Sequence, residues 1–146
     1  PSPHPNQQLI RYLGYGGLVP FAALAAMLWL LQPQQQVLVS AALSAYAALI
    51  LSFLGGIHWG IGWLQAGQRT GLGVHFLWGV MPSLLAWPGV LMAPFGGLIW
   101  LGVLLITCYL VDRALLVRAG LSAWLPLRLQ LTTVASLSCF LGASAL

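Results

Sequence analysis

Fixed charge is scarce in this sequence, which contains no lysine and no glutamate. Only six of the 146 residues carry a fixed charge, one aspartate and five arginines. Charged residues make up about a quarter of an average soluble domain, so this chain has too few of them to cover a surface that faces water. Because 60% of the residues are hydrophobic, we expect lipid to be the solvent and the chain to be an integral membrane protein.

Cysteine and long basic runs are also lacking. Cys108 and Cys139 are too few and too far apart to form a disulfide framework or a metal cluster, and we expect two buried, inert thiols. The excess of arginine over aspartate is not concentrated in a basic run of the kind that binds nucleic acid. No nucleic acid partner is therefore expected, and the arginines are interpreted as signals of membrane orientation.

The motifs of the common enzyme classes are missing as well. The sequence has no Gly-x-Ser-x-Gly elbow, no paired carboxylates, no phosphate-binding loop and no His-Glu-x-x-His. His58 or His75 could act as a general base, but neither has a nucleophile or a second acid beside it. The two histidines could in principle be axial ligands of a haem iron, and they lack a third ligand for zinc or copper. We therefore expect a protein that is not an enzyme, and we predict no metal and no cofactor.

Five apolar segments are long enough to cross a bilayer as helices of roughly 20 residues. The polar turn Gln32–Gln36 separates the first two, and Asp112–Pro126 is the longest connection, although residues 114–117 could prolong the fourth helix or lie in the interface. Pro82 and Pro88 should kink the third unless neighbours satisfy the freed carbonyls. The prediction is an all-α membrane bundle, with a flexible tail over residues 1–8 and one domain over residues 9–146. Its transmembrane helices are predicted at residues 9–31, 37–64, 72–91, 96–111 and 127–145.

The five arginines give this bundle an orientation. If the helices alternate in direction, every arginine falls on the side of the N-terminus. The positive-inside rule then places the N-terminus in the cytoplasm and the C-terminus outside. The tryptophans fit interfacial belts on the two sides, except Trp78. It lies about 10 Å inside the inner boundary and should pack in the bundle or line a pocket.

The second predicted helix carries small residues at every fourth position. Such a stripe lets backbones approach closely in lipid, which favours packing inside the bundle, and a homodimer contact is the alternative. His58 points nearly opposite the stripe, so it should face another helix, a cavity or the interface. The stripe consists of Ser40, Ser44, Ala48, Ser52, Gly56 and Gly60.

Polar residues converge at the cytoplasmic ends of the predicted helices. An ionisable group within a membrane is a functional hypothesis by default, although a neighbouring helix or water could simply satisfy it. Asp112 is the only acid, and we expect it to pair with Arg128, with Arg11 and Arg69 as alternatives. The candidate ligand-binding pocket comprises His58, Trp59, Trp63, His75, Trp78, Tyr109, Asp112 and Arg128.

Several stretches together resemble the transmembrane protein 69 family. They are Leu51–Gly60 with its motif Phe-Leu-Gly-Gly-x-x-Trp-Gly, Met81–Leu84 with Trp87, Asp112–Arg113, Trp124–Arg128 and Leu131–Thr132. The resemblance covers nearly the whole chain. It implies a small multi-pass protein of the bacterial inner membrane, or of the mitochondrial inner membrane in a eukaryote, with a domain of unknown function and no assigned activity.

Three functions remain open at this point. The first is a non-enzymatic accessory subunit or assembly partner of an inner-membrane complex, for which other subunits or further copies of the chain would be the partners. The second is a binder of a tetrapyrrole, quinone or lipid at the cytoplasmic side. The third is a transporter. It would have to be an oligomer, because the five helices of one chain show no pair of matching repeats.

Overall fold

The chain is helical wherever it is regular. A computed structural model describes residues 4–146, and within that range it contains no strand, so the prediction of an all-α protein is confirmed. Residues 1–3 of the expected tail lie outside the described residues. The helices are α1 (Gln7–Gly16), α2 (Leu18–Leu30), α3 (Pro33–Leu64), α4 (Gly73–Leu91), α5 (Pro94–Arg118) and α6 (Leu125–Ser144), with a 3-10 turn at Ser122–Trp124.

Four stretches of helix are long and apolar enough to cross a membrane: Gln7–Leu30, Pro33–Leu64, Gly73–Leu91 and Pro94–Arg118. Large apolar side chains along them face outward, among them Leu30, Leu64 and Leu77. Exposed apolar surface of this extent is typical of a protein surrounded by lipid, so the chain is a membrane protein. In α6, serine and threonine alternate with leucine and lower the hydropathy. A fifth crossing there stays a prediction.

The first predicted helix consists of two pieces, α1 and α2, that meet at Gly17. Pro20 has no N–H to donate to the carbonyl of Gly16, which weakens the helix at this junction. The hydroxyl of Tyr46 on α3 donates to the carbonyl of Gly17 at 2.7 Å. The break is therefore stabilised by a hydrogen bond from a neighbouring helix.

The helix α3 begins earlier than the sequence indicated. The stretch Gln32–Gln36 is not a turn, because α3 already starts at Pro33. Proline suits the first helical position, where its missing N–H costs nothing, and Gln32 and Gln35 form a capping box. The side chain of Gln36 then donates to the carbonyls of Leu28 and Ala145, at 2.9 and 3.1 Å, and so ties together the ends of α2 and α6.

The helix α5 also exceeds its predicted end at residue 111, because it continues to Arg118. Residues 114–117 prolong the helix, as one of the two alternatives had it. Leu116 is buried against Ile61 of α3, and this contact stabilises the extension of α5. Asp112 consequently lies inside a helix, and only residues 119–124 connect α5 to α6.

The prolines of α4 do not end that helix, which runs from Gly73 to Leu91 through Pro82 and Pro88. The indole N–H of Trp100 donates to the carbonyl of Leu85 at 2.7 Å. A neighbouring helix thus supplies a donor close to Pro88, where the backbone has lost one.

Small residues let α3 and α4 approach each other closely, but only part of the predicted stripe of small residues on α3 is buried in the bundle. Ser40 and Ser44 are buried, as predicted, whereas the prediction of internal packing is wrong for Ser52, Gly56 and Gly60, which face outward. The close approach uses Gly55 instead, because a Cβ there would collide with the carbonyl oxygen of Gly79 on α4.

The core of the bundle is apolar and leads directly to the polar residues. Leu43, Ala47 and Leu51 of α3 are fully buried. The same face of α3 continues through Leu54 to His58, which is 1% exposed. The chain thus presents a histidine at the end of the surface that packs the core.

Candidate functional site

A buried carboxylate is the centre of the site. Asp112 is 3% exposed and receives three hydrogen bonds from three different helices. His58 Nε2 of α3 lies 2.7 Å from Oδ1, and the indole N–H of Trp78 on α4 donates to the same oxygen at 2.9 Å. Arg128 Nη2 of α6 lies 2.6 Å from Oδ2. The predicted ion pair between Asp112 and Arg128 is therefore confirmed, and Trp78 packs in the bundle as expected.

The partners of Asp112 define its charge state. Tryptophan and arginine can only donate hydrogen bonds, so both carboxylate oxygens act as acceptors. An ionised carboxylate with three donors around it suits this arrangement. The positive charge of Arg128 compensates the negative charge of Asp112, which is the condition for burying either of them.

The two histidines form a hydrogen-bonded pair. His58 Nδ1 and His75 Nδ1 are 3.0 Å apart, with the ring centroids 5.3 Å apart and the ring planes inclined by 22°. The far nitrogen of His75, Nε2, lies 3.5 Å from both Nη atoms of Arg69. His75 is fully buried, so the pair extends the site from Asp112 toward the loop between α3 and α4.

Donors and acceptors assign a tautomer to each ring. Arg69 can only donate, so His75 Nε2 is the acceptor and the proton of His75 lies on Nδ1. That proton is donated to His58 Nδ1, which leaves the proton of His58 on Nε2, facing Asp112. Both imidazoles are then neutral, and a single directed series of hydrogen bonds runs from Arg69 to Asp112.

The loop that carries Arg69 is held in place by Gln65, the residue that follows α3. Gln65 Oε1 accepts a hydrogen bond from Arg69 Nη1, and Gln65 Nε2 donates to the carbonyl of Ala119 at 2.9 Å. Gly67 and Gly71, on either side of Arg69, have φ values of +80° and +73°, which glycine adopts without strain. From the sequence, Arg69 was considered only as a partner for Asp112.

Arg128 has contacts on several sides, but one of its three side-chain nitrogens makes no hydrogen bond. Its side chain is 3% exposed, and Nη1 lies 3.5 Å from the hydroxyl of Thr132. The guanidinium carbon is 5.9 Å from the ring centroids of both Tyr109 and Trp124, within the range of a cation–π interaction. Among residues 4–146, Nε of Arg128 is the buried side-chain nitrogen or oxygen without a hydrogen-bond partner.

The remaining candidates are placed differently. Tyr109 adjoins the cluster through Arg128. Trp59 and Trp63 lie on the outer face of α3, 42% and 71% exposed, and both contact the ring of Phe76 edge-on. The structure thus joins His58, Trp78 and Asp112 with His75 and Arg128 in one hydrogen-bonded cluster, and it leaves the two outer tryptophans outside that cluster.

A cavity of about 300 Å³ lies beside the cluster, between the α1–α2 pair and helices α3, α5 and α6. Its wall is apolar apart from a few side chains, of which Arg128 and Thr132 are the buried polar ones. This cavity was not predicted from the sequence. The sequence does show one helical face of apolar and small residues along α1 and α2, and this face lines the cavity. Its members recur every three to four residues: Ile10, Gly14, Gly17 and Phe21.

Metal-binding groups are sparse among the described residues. No set of three or more histidine, cysteine, aspartate or glutamate side chains within residues 4–146 could hold a metal ion. Cys108 and Cys139 are free and buried, the latter far from the polar cluster along α6.

Comparison with known proteins gives a family but no activity. A family model described as "Protein of unknown function (DUF3429)" matches residues 6–144, a range that includes all six α-helices in full. No curated protein and no solved structure matches the chain.

Proposed function

The chain belongs to the DUF3429 family of proteins of unknown function, and we propose that it binds an amphiphilic ligand in the cavity beside Arg128. The observation that carries this proposal is the unpartnered Nε of that arginine, on a residue that lines the cavity. The apolar chain of the ligand would lie against the wall of the cavity, and its headgroup would accept a hydrogen bond from the guanidinium. Lipids, quinones and similar molecules have this combination of parts.

Energetics favour an occupied site. A buried donor without an acceptor costs about 1–3 kcal/mol, and more when it is charged. A headgroup oxygen at Nε would remove this cost. The volume of the cavity, about 300 Å³, is at the lower end of the range for small-molecule pockets, and its partly open side would let a longer chain extend into the lipid.

The experiment is to identify what copurifies with the protein. The chain would be purified in a mild neutral detergent, and native mass spectrometry would be followed by solvent extraction of bound organic molecules. We expect an amphiphile at one per chain. A preparation that is folded, monodisperse and free of any such molecule, and that does not bind added lipids, would overturn the proposal.

A pair of variants makes the test specific. Arg128→Lys keeps the positive charge for Asp112 but removes the Nε–H that is proposed to bind the headgroup. We expect about tenfold less ligand per chain, which corresponds to the loss of one hydrogen bond from a charged group. Arg118→Lys is the matched control, because Arg118 is exposed at the end of α5. The control should retain the ligand in full.

A membrane arrangement accompanies this proposal. We propose that α6 is a fifth crossing, that the N-terminus is cytoplasmic, and that the protein lies in the inner membrane of a bacterium, as its resemblance to the transmembrane protein 69 family implies. The clustering of all arginines at one end of the helices supports this orientation. The candidate site would then lie at the cytoplasmic end of the bundle.

An accessory role in a membrane complex is the second candidate function. The outward-facing residues Ser52, Gly56 and Gly60 on α3 favour it, because no neighbouring atom lies within 4 Å of a Cβ added at either glycine, and small residues let another transmembrane helix approach closely. Blue-native gels of native membranes would test this role. Migration of the protein only at the size of a monomer would contradict it.

A further inference from the structure

Charge balance in the buried cluster restricts what the cavity can hold. Asp112 and Arg128 neutralise each other, and the hydrogen bonds assign neutral tautomers to His58 and His75. Apart from Arg69 at its loop edge, the cluster therefore has no net charge in the structure. An anionic headgroup at Arg128 would leave it with one uncompensated negative charge in a buried site, which is costly.

Asp112 connects the cavity to the histidines. Its Oδ2 binds Arg128, which lines the cavity, and its Oδ1 binds His58, which does not. An anion that draws Arg128 toward itself weakens the compensation of Asp112 at Oδ2. A proton taken up by the histidine pair would restore this compensation at Oδ1, because an imidazolium at His58 is itself a cation.

From this geometry we propose that the cavity takes an amphiphile with an anionic headgroup, and that binding is coupled to the uptake of one proton by His58 and His75. The proposal rests on the proposed ligand-binding function and specifies the chemistry of the ligand and the linkage of its binding to pH. The headgroup class is carboxylate, sulfonate or phosphate, each of which can accept a hydrogen bond from Arg128 Nε.

The proton balance of the step is simple. One proton from water binds to His75 Nε2, and the proton on His75 Nδ1 moves to His58 Nδ1 along the 3.0 Å contact. His58 becomes an imidazolium that donates to Asp112, and His75 is again neutral with its proton on Nε2. Arg69 must then move away from His75 Nε2, because two donors cannot face each other.

The polar and charged groups around the two histidines and Asp112 come from several elements of the fold. Asp112 approaches from α5, Trp78 from α4, and Arg69 from the loop. Arg128 approaches from α6 through Asp112, and Cys108 lies one turn before Asp112 on α5. Of these groups, Asp112 is the one with a negative charge, so an added proton is stabilised on the histidine beside it.

The test measures protons and ligand together. Dodecanesulfonate is a suitable probe, because its headgroup does not titrate near neutral pH, and 1-dodecanol is its uncharged counterpart. Calorimetric titration of the full-length protein in neutral detergent, in two buffers of different ionisation enthalpy, gives the number of protons taken up per ligand. We expect about one proton with the sulfonate and none with the alcohol. The affinity for the sulfonate should rise as the pH falls, by up to about tenfold per pH unit, which is the limit for one proton taken up per ligand.

Variants assign the proton to its site. In the double variant His58→Gln/His75→Gln, proton uptake should fall below one half per sulfonate, and sulfonate affinity should lose its dependence on pH. If the double variant does not fold, the two single variants are measured instead, and each should take up fewer protons per sulfonate than the parent protein. His4→Gln is the control, since His4 is exposed in the N-terminal segment, and it should behave like the parent protein.

The outcomes separate the two proposals. Binding of neither probe would overturn the proposed ligand-binding function itself. Binding of the sulfonate without proton uptake would overturn the coupling and leave the ligand-binding function intact. Undiminished uptake in the histidine variants would overturn the assignment of the proton to this pair.

Discussion

Asp112 accepts hydrogen bonds from three helices and so links them. The same arrangement makes the stability of the bundle sensitive to the loss of any one partner. Removal of one partner from a buried ion pair leaves an uncompensated charge, which costs more than the pair contributes. The indole of Trp78 and the imidazole of His58 share Oδ1. The loss of the carboxylate would therefore disturb three other side chains at once.

The substitution Asp112→Asn tests this dependence. An asparagine keeps the shape but leaves Arg128 buried without a counter-ion, so we expect the protein to lose about 3–5 kcal/mol of stability. Thermal unfolding in detergent, followed by circular dichroism, would measure the loss. The neighbouring exposed residue gives a control, Arg113→Gln, which should change stability by less than about 0.5 kcal/mol.

A second substitution separates charge from packing. When Arg128→Leu is added to Asp112→Asn, no uncompensated buried charge remains, and part of the lost stability should return. A double variant that is no more stable than Asp112→Asn alone would contradict the assignment of the cost to unpaired charge.

At the scale of single residues, the sequence contained the ion pair but not the histidine pair. Asp112 is the only acid, and Arg128 lies at the same depth on the next helix, so few other partners existed. The contact between His58 and His75 depends on the rotation of α3 against α4. Helical spacing within either helix does not define that rotation, and the role of Arg69 as the donor to His75 was inaccessible for the same reason.

At the scale of helices, the closest approach between α3 and α4 depends on the absence of a side chain at Gly55. A Cβ at Gly79 would in turn lie 2.9 Å from the carbonyl oxygen of Gly55. Backbones are rigid compared with side chains, so neither helix can yield locally. The position of His58 relative to His75, one turn further along the same interface, depends on this approach.

The substitution Gly55→Ala should therefore separate the two helices and destabilise the bundle by about 1–3 kcal/mol, the usual cost of overpacking. It should also weaken the histidine pair and reduce ligand binding. The control lies next to it. Gly56→Ala places a methyl group where no atom lies within 4 Å, and alanine is the better helix former by about 1 kcal/mol. Equal thermal stability of the two variants would contradict the proposed packing.

Helix boundaries were predicted less well than helix positions, and the reasons are local. Pro33 begins α3 because the capping box of Gln32 and Gln35 satisfies the backbone there. The extension of α5 past Asp112 depends on Leu116 meeting α3, a tertiary contact that the sequence does not reveal. In both cases polar residues that looked like a connection are part of a helix.

At the scale of the whole molecule, the two ends of the bundle differ in chemistry. One end contains the cluster around Asp112 and the loop of Arg69. The other end is closed by neutral contacts, such as those from Gln36 to the ends of α2 and α6. This asymmetry predicts a single orientation in the membrane, in which the proposed proton uptake would draw on one aqueous phase only.

The orientation gives the last prediction. If α6 crosses the membrane, the N-terminus is cytoplasmic and the C-terminus is outside. Alkaline phosphatase, which is active only outside the cytoplasm, should be active when fused to the C-terminus of the full chain and inactive at the N-terminus. A fluorescent protein that matures only in the cytoplasm should give the opposite pattern. The physical reason is that Arg11, Arg69, Arg113 and Arg118 would all have to cross the bilayer in the reverse orientation, each at about 2.5–3.5 kcal/mol at the bilayer centre. If both termini report the cytoplasm, α6 does not span the membrane. The serine and threonine residues of α6 would then belong to a helix at the membrane surface.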